Sequence, residues 1–289
     1  MLLLLGLAGP AAAAPDPVEH WVTVEGTRIR FLESADAQPD ATVVLMVHGW
    51  AGSAEDFRPL FALLPPSLRA IAVDLPGCGQ SEKPDAVYDL PYFLTFLKAF
   101  CDGLGLRQVV LVGHSMGGQF AIHFASRWPG IVQRLILVAP YGLKGEEGIW
   151  LRLAGWGSFV DLGFRLNNRL FIEWALRANV LYRASPAVVR AAVDSTARSI
   201  LGPEGARAIA RITRNIIGHD DVGELLPSLP QETLIIWGDH DRVLAPSWAS
   251  VFVTRIPHAR LVTVKGSGHL PMVEHPAETA ALVAGFAGG

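Results

Sequence analysis

The sequence predicts an α/β protein: a mostly parallel, doubly wound sheet interrupted once by an inserted helical segment. Three observations carry that expectation. Short runs rich in Val, Ile and Leu recur without clear polar alternation, which suits parallel strands buried on both faces. Stretches with helical periodicity alternate with these runs, and such alternation means a sheet covered by helices. Between Tyr141 and Leu226 the rhythm stops. About eighty residues pass there with helical periodicity and no strand signal, against the roughly two to six of an ordinary strand-to-helix loop.

In chain order, residues 1–14 (MLLLLGLAGPAAAA) come first and are set apart from the fold. They read as the apolar region of a signal peptide with small residues at Ala12-Ala13-Ala14, although no Lys or Arg precedes them and Pro15 would follow the cut. The segment is shorter than the ~20 residues a membrane span needs. A mis-chosen start or a trimmed anchor is the plain alternative. The expected location is therefore periplasmic or secreted if this is a signal, and cytoplasmic otherwise. Next, Trp21–Glu25 and Ile29–Glu33 flank the turn Glu25-Gly26-Thr27 and read as a β-hairpin. Strands are expected at Val43–Val47, Ala70–Asp74, Val109–Val112, Leu135–Val138, Leu234–Trp237 and Leu261–Val264. Helices are expected at Glu55–Leu64, Pro91–Gly103, Met116–Trp128, Ser247–Arg255 and Pro276–Phe286. The core then comprises residues 15–140 and 226–289, with a helical cap over 141–225.

Composition narrows the classes. The 289 residues are 51% hydrophobic and 18% charged, with mean hydropathy +0.33, which argues for a large buried sheet and apolar surface in a pocket or at a membrane. A net charge of −3 and the lack of a basic stripe with interleaved aromatics set nucleic-acid binding aside. Cys78 lies in the loop DLPGCGQS and Cys101 late in a helix running to the opposite sheet edge, so two free thiols are expected. From Lys144 to Arg214 eleven Lys/Arg meet six Asp/Glu, a net of +5 against −8 elsewhere. A solvated outer helix face is the plain reading of that surplus. Weak association with an anionic membrane surface, or a preference for acidic substrates, is the other. The same segment carries Trp150, Trp156, Phe159, Phe164, Phe171 and Trp174. Trp156, Phe164 and Trp174 are the candidate substrate-binding walls, with plain core as the alternative.

The chemistry concentrates in Val109–Gly118, VVLVGHSMGG. A buried strand that stops in G-x-S-x-G and enters a helix is a nucleophile elbow, which lifts Ser115 Oγ clear of the sheet. A serine hydroxyl needs a base and a group that orients the base. His269, in Lys265-Gly266-Ser267-Gly268-His269, follows the last strand and is the candidate base. Asp241, in Trp237-Gly238-Asp239-His240-Asp241-Arg242, is the candidate acid, with Asp239 its rival. The strand at Leu135–Val138 runs into Ala139-Pro140-Tyr141 and offers no carboxylate. Oxyanion donors are expected at Met116 N–H and at Trp50 N–H, in the loop His48-Gly49-Trp50-Ala51-Gly52. His48 and His114 read as structural hydrogen-bonders, His219, His240 and His275 as surface or cap residues, and Asp74 as a brace behind the site. No HExxH, P-loop or GxGxxG pattern is present, and no metal or cofactor is expected.

VHGW, DLPGCGQS, GHSMGG, GDHDRV and GSGHLPMVEHP occur in this order over roughly residues 41–140 and 226–285. In them the chain resembles the α/β-hydrolase superfamily, in its capped lipase, esterase and meta-cleavage hydrolase branch. The resemblance implies a serine ester hydrolase; the cap shares only its position with that branch, and it is the aromatic content of this segment that suggests a small-molecule apolar acyl ester, as for a carboxylesterase or monoacylglycerol-type lipase. Its alternatives are a meta-cleavage type C–C hydrolase and a low-turnover ligand receptor. Meta-cleavage enzymes typically carry Asn at the position of His114 and Trp at that of Leu270, and both departures count against that alternative. Haloalkane dehalogenases and epoxide hydrolases use an Asp nucleophile, which Ser115 excludes.

Overall fold

The computed structural model describes residues 15–145 and 168–288. The leader and residues 146–167, with Trp150, Trp156, Phe159 and Phe164, lie outside that range. Strands β1 (Val18–Val24) and β2 (Thr27–Glu33) form the expected hairpin, and Glu25 and Gly26 both take positive φ, as a tight type I′ turn requires. Then follow β3 (Thr42–Val47), β4 (Leu68–Val73), β5 (Val109–His114), β6 (Val132–Val138), β7 (Glu232–Gly238) and β8 (Ala259–Val264). They make one eight-stranded sheet in the order β1-β2-β4-β3-β5-β6-β7-β8. It is antiparallel at β1–β2 and β2–β4 and parallel from β4 onward. The apolar runs are buried almost throughout in β3 and β5, because helices cover both faces.

One expected helix is shorter than its pattern suggested. Glu55–Leu64 is a 3₁₀ turn, Ala54–Phe57, followed by a single helical turn, Arg58–Phe61. Pro59 has no N–H to give the Glu55 carbonyl, so Arg58 N–H bonds it instead at the tighter 3₁₀ spacing. The remaining helices of the core fall close to expectation: Leu90–Gly103, Met116–Arg127, Trp248–Arg255 and Pro276–Ala287, with a short turn at Pro271–Glu274. Between β6 and β7 the described residues contain helices Arg169–Ala175, Pro186–Ile200 and Gly202–Ile216, and a π-turn at Leu176–Val180. Cys78 and Cys101 are buried free thiols, and burial pushes each up to about 12. Among the described residues no helix is long and apolar enough to cross a membrane.

In a parallel sheet all C-terminal strand ends share one edge, and here the loops after β3, β5, β7 and β8 meet on it. β8 is three strands from β5, ~14 Å at normal strand spacing. The loop after β8 nevertheless returns across that gap, since the His269 carbonyl accepts a hydrogen bond from His114 Nε2 at 2.9 Å. It crosses directly over Gly238. A Cβ there would sit 2.0 Å from the Gly268 carbonyl oxygen and 2.5 Å from that of Ser267, so only glycine lets the loop pass.

Candidate active site

Ser115 joins β5 to the helix Met116–Arg127 with φ 51° and ψ −118°. A non-glycine residue held there is strained, and its surroundings must over-determine it. They do. Its N–H donates to the Val138 carbonyl at 3.0 Å, and its carbonyl accepts from the N–H groups of Gly118, Gln119 and Tyr141. Gly117 lets the helix start against the end of β3: a Cβ there would lie 2.3 Å from the Val47 carbonyl oxygen. Ser115 thus stands at the helix N-terminus, where unpaired N–H groups and the macrodipole favour negative charge.

Asp241 and His269 come together from different loops. His269 Nδ1 lies 2.6 Å from Asp241 Oδ2, and both side chains are buried. The other carboxylate oxygen accepts from Val243 N–H at 2.8 Å and Leu244 N–H at 3.0 Å. An ionised carboxylate only accepts, so its partner Nδ1 must carry the proton and Nε2 keeps its lone pair. Asp239 faces elsewhere. It accepts from Gly266 N–H at 2.7 Å and sits 2.6 Å from His240 Nδ1, bracing the turn after β8.

The loop bearing His269 is fixed from two sides. His269 N–H donates to the Val180 carbonyl at 2.7 Å. The Glu274 carboxylate accepts from Gly268 N–H at 3.1 Å, Leu270 N–H at 3.2 Å and Tyr182 N–H at 2.7 Å. Burial raises the Glu274 carboxyl above its ordinary range against those three bonds. Val180 and Tyr182 lie between β6 and β7, so that segment reaches the histidine loop directly.

The remaining histidines divide as their surroundings dictate. His48 Nδ1–H donates to the Gly49 carbonyl at 2.8 Å and Nε2 accepts from Leu75 N–H at 3.1 Å. His114 Nε2–H donates to the His269 carbonyl, and its ring lies 4.8 Å from that of His269. Burial holds both imidazoles below the usual histidine range, and for His114 the adjacent His269 adds to the effect. His275 Nε2–H donates to the Gly266 carbonyl at 3.0 Å, and the His240 ring stacks on Tyr182. Asp74 accepts from Ala54 and Gln80 N–H groups and pairs with Arg30.

β3 lies beside β5 with Val47 opposite Gly113, so the loop holding Trp50 emerges next to Ser115. Met116 opens the helix on the other side of the serine. The Trp50 indole donates from Nε1 to Thr213 Oγ1, on the helix Gly202–Ile216, at 2.8 Å. Trp174 is exposed and packs its ring on that of Phe171, with centroids 5.7 Å apart. Sequence reasoning did not single out Thr213, Ser195, Ser199 or Glu274. Ser195 and Ser199 are one turn apart and buried with Val189, Ala192 and Val193. Two hydroxyls on an otherwise apolar helix face were the available signal, since buried hydroxyls need partners.

Sheet order, elbow and loop placement together define an α/β hydrolase. The family profile described as alpha/beta hydrolase fold matches residues 42–276, and the chain belongs to that family. An uncharacterized protein of Mycobacterium tuberculosis is 30% identical, over 96% of this chain and 83% of its own length. A pimeloyl-[acyl-carrier protein] methyl ester esterase of Xanthomonas oryzae is 28% identical, over 80% of this chain and 89% of that one. Among solved structures, a bacterial membrane phospholipase A superposes with TM-score 0.72 at 28% identity, covering 94% of this chain and 86% of that one.

Proposed function

We propose that this α/β hydrolase is a serine ester hydrolase that cleaves apolar acyl esters through an acyl-enzyme. The observation that carries the reading is the buried 2.6 Å pair of Asp241 and His269 on the sheet edge that presents Ser115 in its strained elbow. In the proposed mechanism Ser115 Oγ adds to the ester carbonyl while His269 Nε2 takes its proton. The oxyanion accepts hydrogen bonds from Trp50 and Met116 N–H, and Asp241 stabilises the imidazolium. The leaving alcohol then takes the proton from Nε2. Water attacks the acyl-enzyme, with Nε2 again the base, and releases the acid and free Ser115.

An esterase and a phospholipase among the relatives at 28% identity support an ester bond over a carbon–carbon bond. The aromatic content of the insertion supports an apolar acyl group, with Trp156, Phe164 and Trp174 as its proposed walls and residues 141–225 as a cap over the site.

A panel of p-nitrophenyl esters from C2 to C16, beside one meta-cleavage diketone, tests the reading. Ester turnover is expected, with Ser115→Ala lowering kcat by about 10⁴-fold and leaving only what binding and the oxyanion donors supply. A phosphonate ester should label Ser115 alone. A Ser115→Ala enzyme above a tenth of wild-type activity, diketone cleavage in place of ester cleavage, or binding without turnover would each overturn it.

A further inference from the structure

Three buried hydroxyls of the inserted helices hold the loop that follows β3. Thr213 O–H donates to the Ile209 carbonyl at 2.6 Å, which turns its lone pair to the Trp50 indole N–H at 2.8 Å. An indole nitrogen can only donate, so the direction of this chain is fixed from end to end. Ser199 O–H donates to the Gly52 carbonyl at 2.5 Å and its oxygen accepts from Gly79 N–H at 2.7 Å. Ser195 Oγ lies 2.7 Å from Ser53 Oγ and 2.6 Å from Asp56 Oδ1. Ala51, between these anchors, takes φ 58°, a conformation an alanine keeps only when its neighbours impose it. Gly49, at the near end, runs against Ser115: a Cβ there would lie 3.0 Å from Ser115 Cβ.

Trp50 is 39% exposed, so burial alone does not fix its side chain. Its polar anchor lies on the insertion and not on the sheet. We infer that Thr213 is a positioning residue for oxyanion stabilisation, holding the Trp50 indole and with it the aim of the Trp50 backbone N–H, while Ser199 and Ser195 hold the next residues of the same loop. The inference rests on the mechanism proposed above and adds to it that the inserted helices complete one half of the oxyanion site. A donor that drifts from the oxyanion loses transition-state stabilisation and leaves ground-state binding nearly unchanged, since the bond forms fully only when the charge develops.

The test compares wild type, Thr213→Val, Thr213→Ser, Trp50→Phe, the double variant Trp50→Phe/Thr213→Val and Ser115→Ala on p-nitrophenyl butyrate. Thr213→Val keeps the side-chain volume and removes the acceptor. It should lower kcat about 10-fold with KM within about twofold, less than the 10²–10³ that loss of a donor costs. The Kd of butylboronic acid, whose adduct on Ser115 puts an oxygen at the same donors, should rise by a like factor. Thr213→Ser retains the oxygen and should restore both. Trp50→Phe removes the same bond at an exposed side chain, and so carries the test if Thr213→Val folds poorly. The double variant should be no worse than the worse single one, because both remove one interaction. Wild-type kcat in Thr213→Val or Trp50→Phe beside an inactive Ser115→Ala overturns the positioning role alone, as does a loss confined to KM. Turnover surviving in Ser115→Ala overturns the mechanism itself.

Discussion

Asp241→Asn isolates what the carboxylate contributes, because the structure dictates how the amide must lie. Two backbone donors, Val243 and Leu244 N–H, converge on Oδ1 of Asp241. The amide oxygen therefore stays with them, and Nδ2 takes the place of Oδ2 opposite His269 Nδ1, 2.6 Å away in the wild type. Two N–H groups cannot face each other at that distance. His269 must move its proton from Nδ1 to Nε2, and a protonated Nε2 can no longer accept from Ser115. The expected loss is about 10³–10⁴ in kcat, equivalent to ~4–5.5 kcal/mol of barrier at 1.36 kcal/mol per decade. Stability should change by only about 1 kcal/mol, since the amide oxygen still satisfies both backbone donors. Steady-state kinetics on a butyrate ester, with a melting curve for each protein, measures both. Asp239→Asn is the control, and its loss should stay below about 10-fold, because Asp239 braces Gly266 and His240 and does not touch His269. Asp241→Asn within 10-fold of wild type, or a larger loss in Asp239→Asn, would refute the reasoning.

Gly117→Ala should abolish the elbow geometry, since its methyl would meet the Val47 and His48 carbonyl oxygens at 2.3 and 2.6 Å, both backbone; near-wild-type activity and melting temperature would contradict this. Burial pushes the Asp56 carboxyl up to about 6 from 3.8, against hydrogen bonds from Ser195 and Ser53. The fold therefore favours its protonated form, and that stabilisation is complete below about pH 4 and is lost as pH rises through 6. Asp56→Asn should accordingly gain on wild type between pH 4 and pH 7, by up to about 3 kcal/mol for a shift near two pH units. Urea unfolding at both pH values measures the gain, and a pH-independent difference would count against it. Trp156→Ala, Phe164→Ala or Trp174→Ala should weaken kcat/KM for C8 esters more than for C2 esters, at about 0.8 kcal/mol per methylene no longer buried. A flat C8/C2 ratio in all three places the acyl site elsewhere.

The sequence by itself determined the sheet class, the elbow and the order of its candidate partners. Each of these is local. A run such as VVLVGHSMGG carries its strand, its turn and its helix start within ten residues, and Val and Gly at those spacings leave the backbone little choice. It ranked Asp241 above Asp239, two residues apart on one loop, but offered no geometry to decide between them. That choice depends on which carboxylate a histidine loop meets after crossing back over β7 from β8, a path that Gly238 permits and no local pattern reports. Likewise, a hydroxyl at Ser195, Ser199 or Thr213 has no meaning until its helix is docked. Only then do the distances decide that Thr213 gives its proton to Ile209 and its lone pair to Trp50. Secondary structure follows from neighbours along the chain. The direction of a buried hydrogen bond follows from neighbours in space, and those the tertiary fold alone supplied.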